Sequence, residues 1–417
     1  MQHKRRAAAA IILLALLLTG CWDRSEIEDQ AYVILLGLDR GDEGKIMVST
    51  DLAITQSLSA GLLGARASAG PPHMAVRLLT VQAETITQAI TTLNGGMSRR
   101  LDLRQLRGIV VGEELAREGL EPLLMELSRH SLARPSALLV QARGRAYDLL
   151  RLQEPVGEVN PGRMADGLIL QAKQLHLAPP VRMHHFMLRL AAPGGDPYLP
   201  AAAVNPWITI PPQEPKEATA TSAIAGDMPR GGGNPVEFIG TAIFRRDRLA
   251  GFLSVDETQM LLALRGEMGK AYTTFPDPTD PDKPVTLRFH QENKPTYKAS
   301  FRGARPYVKV RIVFEGEVLA IPGGTDFVPP EMRQRLERAS KKYAEETMAR
   351  LLTRLHDWEA DAVGFGHQFR GSVTTWPEWD RYDWPKHVKD LEVEVSVEMR
   401  IRRYGLITGP DRVPEGH

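Results

Sequence analysis

Leu391-Glu-Val-Glu-Val-Ser-Val-Glu-Met-Arg-Ile-Arg402 alternates apolar and polar residues without interruption. A period of two is that of a β-strand. Here one face is aliphatic and the other carries Glu392, Glu394, Glu398, Arg400 and Arg402. So regular a strand predicts an antiparallel sheet with one dry and one wet face, and puts Val395 on the dry side. Val308, Val310, Ile312 and Phe314 alternate in the same way upstream. Between the two runs, Pro330 opens a long helix predicted over 330–362, with Leu336, Tyr343, Met348, Leu351, Leu355 and Ala362 on one stripe. The simplest packing lays this helix across the dry face of the sheet, giving a C-terminal domain over 283–410.

Working toward the N-terminus, a Pro/Asp cluster at Pro276–Pro284 is expected to close a middle unit over 151–275. That unit contains a Pro/Gly-rich stretch, 205–234, with no apolar periodicity, which reads as a loop. Phe238–Phe244 and Leu249–Leu253 flank Arg245-Arg-Asp-Arg248 as a hairpin, predicted to pair across the loop with Tyr198–Val204. Asp256 is expected to cap a helix running through Leu264. Before this unit, strands at 31–39, 46–54, 76–83, 106–111 and 137–142 alternate with helices opening at Thr85 and Glu113. That pattern predicts an N-terminal unit over 21–150 with helices on a sheet. The fold class expected is α+β, in three successive mixed α/β domains, the last an antiparallel sheet packed on a long helix.

Residues 1–20 read differently. Lys4, Arg5 and Arg6 precede 12 uncharged residues, Ala7–Leu18, and then Thr19, Gly20 and Cys21. This is the layout of a secretory signal peptide, too short to span a bilayer comfortably. Leu18-Thr-Gly-Cys21 resembles a bacterial lipobox, which makes Cys21 the expected lipidation site and the mature N-terminus. With its lipids, Cys21 would tether the protein to the membrane.

The chain of 417 residues has 52 Lys+Arg against 51 Asp+Glu, a net charge of +1. That balance gives no case for a nucleic-acid partner, because phosphate neutralisation needs a basic excess. Its single cysteine excludes an intrachain disulfide. No P-loop, dinucleotide fingerprint or nucleophile elbow is present, so no cofactor is expected. Adjacent His184 and His185 diverge on a helix and make a poor metal pair. The group His356, Asp357, Glu359, Asp361 and His367 lacks the i, i+4 spacing of zinc helices, and no metal is expected there. The remaining chemical candidate is 374–384, which gathers Trp376, Trp379 and Trp384 beside Glu378, Asp380 and Asp383. Aromatic faces stack on sugars and paired carboxylates hydrolyse glycosides, so a lipid-anchored cell-wall hydrolase or sugar binder is one reading. The other has the tryptophans packed inward against the long helix, with no catalytic residue in the chain.

Several runs resemble the Ger(x)C family of spore germination lipoproteins, the C subunits of nutrient germinant receptors. They are Leu18–Arg24, Glu26–Ala31, Gly37-Leu-Asp39, Val111–Gly119, Asp196-Pro-Tyr-Leu-Pro200, Gly240–Phe252, Ala360–Gly366 and Ile401–Ile407, in the family's order along nearly the whole chain. The resemblance implies three α+β domains and a non-enzymatic role in the germination response to nutrients. It also implies a lipid anchor at Cys21 on the outer face of the spore inner membrane, and assembly with membrane-embedded A and B subunits.

Overall fold

The computed structural model describes residues 6, 29–53, 76–129, 134–153, 167, 170–208, 222–228, 230, 232–373 and 375–404. The signal peptide apart from Arg6 lies outside them, as do Cys21, the whole 57–73 stretch and half of the 205–234 stretch.

The chain is α+β, built on two sheets. β1 (Gln30–Arg40), β2 (Ile46–Ala53) and β3 (Val76–Ala83) form an antiparallel meander. On the far side of β1, β5 (Gly108–Val111) and β6 (Leu138–Ala142) add parallel, and the short β4 (Arg100–Asp102) pairs with the start of β1. The intervening helices are α1 (Ile86–Asn94), α2 (Glu113–Glu118), α3 (Glu121–Arg129) and α4 (Ala146–Leu152). Thr85 caps α1, its side chain accepting from the Gln88 N–H at 3.1 Å, while the Gln88 carboxamide accepts from Glu84 and not from Thr85.

After α5 (Met183–Ala191), β7 (Tyr198–Val204) pairs parallel with β6 and antiparallel with β8 (Val236–Arg245). β9 (Arg248–Leu253) completes the hairpin. The pairing predicted across 205–234 is therefore present. It also extends one nine-stranded sheet, so strands on either side of the expected boundary at 150 share hydrogen bonds.

α6 (Val255–Leu264) is buried along its whole length. Its cap is Ser254, not Asp256. The Glu257 carboxylate reaches back to the Ser254 N–H at 2.9 Å in a capping box, and Asp256 lies inside the first turn.

β10 (Ala271–Pro276) and β11 (Pro284–Gln291) form a hairpin. The Pro276–Pro284 cluster is thus a turn within the second sheet and not the end of a middle unit; Asp277 organises it by accepting from Thr279 and Thr325 hydroxyls. β12 (Thr296–Arg302) and β13 (Arg305–Ala320) continue the antiparallel arrangement. β14 (Glu392–Arg403), the strand expected to be antiparallel, joins β13 in parallel. The reason is the connection: α7 (Pro330–Asp357) is a crossover that returns the chain to the end where β13 began.

α7 lies on the dry face of this sheet, as predicted, but ends at Asp357, not at 362, with Glu359 in the left-handed region at φ 49°. Its buried stripe includes Ser340 and Thr347, whose hydroxyls donate to Leu336 O and Tyr343 O within the helix. α7 packs against α6, and Arg354 and Arg350 reach the Glu257 and Asp256 carboxylates at 2.7 and 3.3 Å. One apolar cluster runs from Leu36 and Val48 of the first sheet through Leu261 to Leu351 and Val397 of the second. Among the described residues no helix is long and apolar enough to cross a membrane.

On the second face of the first sheet Asp51 is nearly enclosed, with no hydrogen-bond partner for its Oδ1. Burial pushes its pKa up to about 7. The folded protein therefore binds a proton that the unfolded chain releases near pH 4, so this residue makes stability fall as pH rises from about 4 through about 7. Asp51→Asn, which keeps the neutral shape, is expected to stabilise the protein by up to about 4 kcal/mol at pH 8. Denaturant melts of both proteins across pH should show the difference vanishing by about pH 4.

Candidate functional site

The Trp-rich segment folds as α9 (Trp376–Tyr382) and α10 (Trp384–His387), joined at Asp383, whose φ of 53° makes the corner. Trp379 and Trp384 are each only 2% exposed. Their rings stack on each other at 6.1 Å, and Trp384 stacks on Phe369 of α8 (Gly366–Phe369) at 5.1 Å. Trp376 is exposed, with the Arg370 guanidinium over its ring at 4.5 Å. Trp379 and Trp384 are thus packed inward as the second reading expected, while Trp376 is not; the buried pair bonds the loop that follows the long helix and the loop before β7. Trp379 Nε1 donates to Pro193 O at 2.9 Å, and Trp384 Nε1 donates to Asp361 Oδ2 at 3.0 Å.

Two carboxylates of the segment, Glu378 and Asp383, have structural duties. Glu378 Oε2 accepts from the Thr375 N–H at 3.1 Å, closing the start of α9, and Asp383 pairs with Lys386 at 2.6 Å. Asp380 and Asp383 do line a cavity of about 260 Å³, whose other walls include Arg246, Trp379 and the 190–197 loop.

Beneath this segment sits a carboxylate joint that the sequence did not reveal. Asp361 Oδ1 accepts from the Gly364 and Phe365 N–H groups, and Oδ2 from Gly366 and the Trp384 indole, all at 2.8–3.0 Å. The Asp361 N–H in turn donates to Asp196 Oδ2 at 2.7 Å, and Asp196 N–H donates to Asp361 O. The other Asp196 oxygen accepts from Arg246, in the β8–β9 turn. Burial raises the pKa of both carboxyls, that of Asp196 to about 6, against the opposing pull of these N–H donors. Arg265 binds the same loop through Ala362 O and Val363 O at 2.9 Å, and its guanidinium lies over Tyr198. Gly366 is required here, because a Cβ would meet the Trp384 ring at 2.6 Å. A second such pin is Asp39, which closes the N-terminus of α4 through Ala146 and Tyr147 N–H groups at 2.7 and 2.8 Å. Gly112 must lack a side chain because Asp39 lies where its Cβ would be.

The His184 and His185 rings do not diverge as expected but lie 4.1 Å apart, whereas the candidates of the 356–367 group do not come together. His356 bonds Lys389 O, Glu359 pairs with Arg245, and His184 bonds Pro135 O. Among the described residues no three His, Cys, Asp or Glu side chains converge as metal ligands.

Asp39, Gly112, Asp196, Asp361 and Gly366 all fall in the runs that carry the family resemblance, and here they hold the two sheets and their loops together. Family models agree along the chain: "Spore germination protein N-terminal domain" matches 23–204, and "Spore germination B3/GerAC like, C-terminal" matches 239–405. The chain belongs to the Ger(x)C family. Its relatives include spore germination protein KC of Bacillus subtilis (strain 168), 25% identical across 98% of both chains. Spore germination protein B3 of the same organism is 21% identical, over 96% of this chain and 98% of the relative. The crystal structure of the GerBC protein shares the fold with a TM-score of 0.51 at 17% identity, covering 88% of this chain and 96% of that one. The chain thus resembles spore germination proteins in sequence and the GerBC protein in fold.

Proposed function

We propose that this Ger(x)C protein is a non-enzymatic C subunit of a nutrient germinant receptor, tethered by lipid on Cys21 to the outer face of the spore inner membrane. It acts by contact with the membrane A and B subunits. The observation that carries the reading is the state of the best chemical candidates: Glu378 and Asp383 are engaged in capping and ion pairing, and Trp379 and Trp384 are buried. Buried rings cannot stack on a sugar, and the one exposed ring, Trp376, is covered by the Arg370 guanidinium, which favours the contact reading over the hydrolase. Affinity capture of the tethered protein from spore inner membrane tests the proposal, with co-purification of A and B subunits as the expected result. Recovery of the protein alone, under conditions that keep the A and B subunits together, would refute it.

Anchoring has its own test. Cys21→Ala is expected to leave the folded body intact while releasing it from the membrane or stranding it as an uncleaved precursor, since 12 apolar residues anchor poorly unaided. Fractionation with fatty-acid labelling checks this, and label on the Cys21→Ala protein would contradict it.

A further inference from the structure

α7 and β14 run side by side with nearly matched rises, because eight helical residues advance about 12 Å and four strand residues about 13 Å. On that spacing, glutamates of α7 reach outward-facing N–H groups of β14. Glu337 Oε1 accepts from Ile401 at 2.9 Å, and Glu345 Oε1 accepts from Val397 at 3.5 Å. The next level is residue 353 on the helix and 393 on the strand. Thr353 stands there, and its hydroxyl turns back to Ala349 O at 2.9 Å. In place of a third glutamate is a cavity of about 230 Å³, its walls mostly apolar (Leu352, Leu355, Leu391 and Val393 among them), with His356 and Asp361 also lining it. Alternate N–H groups of a strand point the same way, so Val393 and Val395 share this edge. Among the described residues, side chains accept only from Val397 and Ile401 along it.

A free strand edge beside a mostly apolar cavity suits strand addition: main-chain bonds form along the edge, and an alternate side chain fills the cavity. Charge selects the strand. On the wet face β13 presents Arg305, Lys309 and Arg311, and β14 answers with Glu392, Glu394 and Glu398. A second copy of β14 added antiparallel would set Glu394 opposite or diagonal to a glutamate, which is repulsive. The geometry points to an extended segment of a different protein, with Lys or Arg on its wet face alternating with apolar residues, adding to residues 392–396 of β14. The inference stands apart from the receptor reading, and its failure leaves the membrane capture result untouched.

The test uses the full-length protein, a capped heptapeptide of alternating Lys and Val, and a Glu/Val control, read by amide-resolved hydrogen exchange. In the free protein Val393 and Val395 should exchange at least about tenfold faster than Ile401, and the Lys/Val peptide alone should slow them about tenfold. Thr353→Glu supplies the missing rung and should abolish the peptide's protection without lowering the melting temperature. Glu394→Lys should reverse the preference in favour of the Glu/Val peptide, which mere damage to the edge would not do. Should Thr353→Glu melt low, the Glu394→Lys result decides alone. Three results would overturn the inference: Val393 and Val395 already as protected as Ile401, equal protection by both peptides, or no reversal in Glu394→Lys.

Discussion

Val397→Asp is expected to unfold the second sheet and the long helix on it. Val397 is 2% exposed, opposite Ile312 of β13, and its N–H already points at the Glu345 carboxylate. A carboxylate placed there loses its water, gains no donor and faces a like charge. That costs on the order of 4–5 kcal/mol, comparable to the whole stability of a typical domain. Val395 is only half-buried, so Val395→Asp should melt between that variant and the wild type. Glu394→Ala should melt close to the wild type, because Glu394 is exposed and its bonds to Tyr307 and Lys309 compete with water. Thermal melts of the three proteins check the order, and equal midpoints for Val397→Asp and Glu394→Ala would show the register to be wrong.

That register was legible because a half-buried strand writes its own periodicity. The same holds for the β8–β9 hairpin and its pairing with β7, where short apolar runs flank a charged turn. What periodicity cannot carry is direction. The parallel placement of β14 depends on where a 28-residue helix delivers the chain, not on any residue in the strand. The joining of β6 to β7 is equally silent, resting on two residue pairs between strands separated by a helical excursion.

The joint at Asp196 and Asp361 was hidden for another reason. Each aspartate reads as a polar loop residue, and its role exists only once segments 165 positions apart are in contact. Among the acidic residues near the Trp-rich segment, sequence reasoning favoured those adjacent in the chain. The structure instead places the fully enclosed carboxylate 23 residues away, under Trp384. The one local hint was the glycine pair Gly364 and Gly366 flanking Phe365, spaced so that three successive N–H groups can converge on one acceptor.

Trp384→Ala separates contact from catalysis. Removing this ring deletes its stacking on Phe369 and Trp379 and opens a void at the joint, at a cost of roughly 3–5 kcal/mol. It also takes one of four donors from Asp361, a buried carboxylate whose pKa is already raised by burial, so the loss should fall toward the upper end. The body should melt at lower temperature, and in spores the protein level and germination should fall together. Glu378→Ala and Asp380→Ala should behave in the opposite way, with germination rate nearly that of the wild type at matched protein level. A general acid or base contributes about 10²–10⁴-fold, so a catalytic carboxylate would declare itself in that assay even if stability were untouched. Loss of germination in Asp380→Ala, with melting and membrane capture both unchanged, would move the active chemistry into the cavity beside Arg246 and overturn the contact reading. Loss confined to Trp384→Ala, tracking stability, is the expected result. It follows from a segment whose buried rings hold two loops together while Glu378 closes the start of α9 and Asp383 pairs with Lys386.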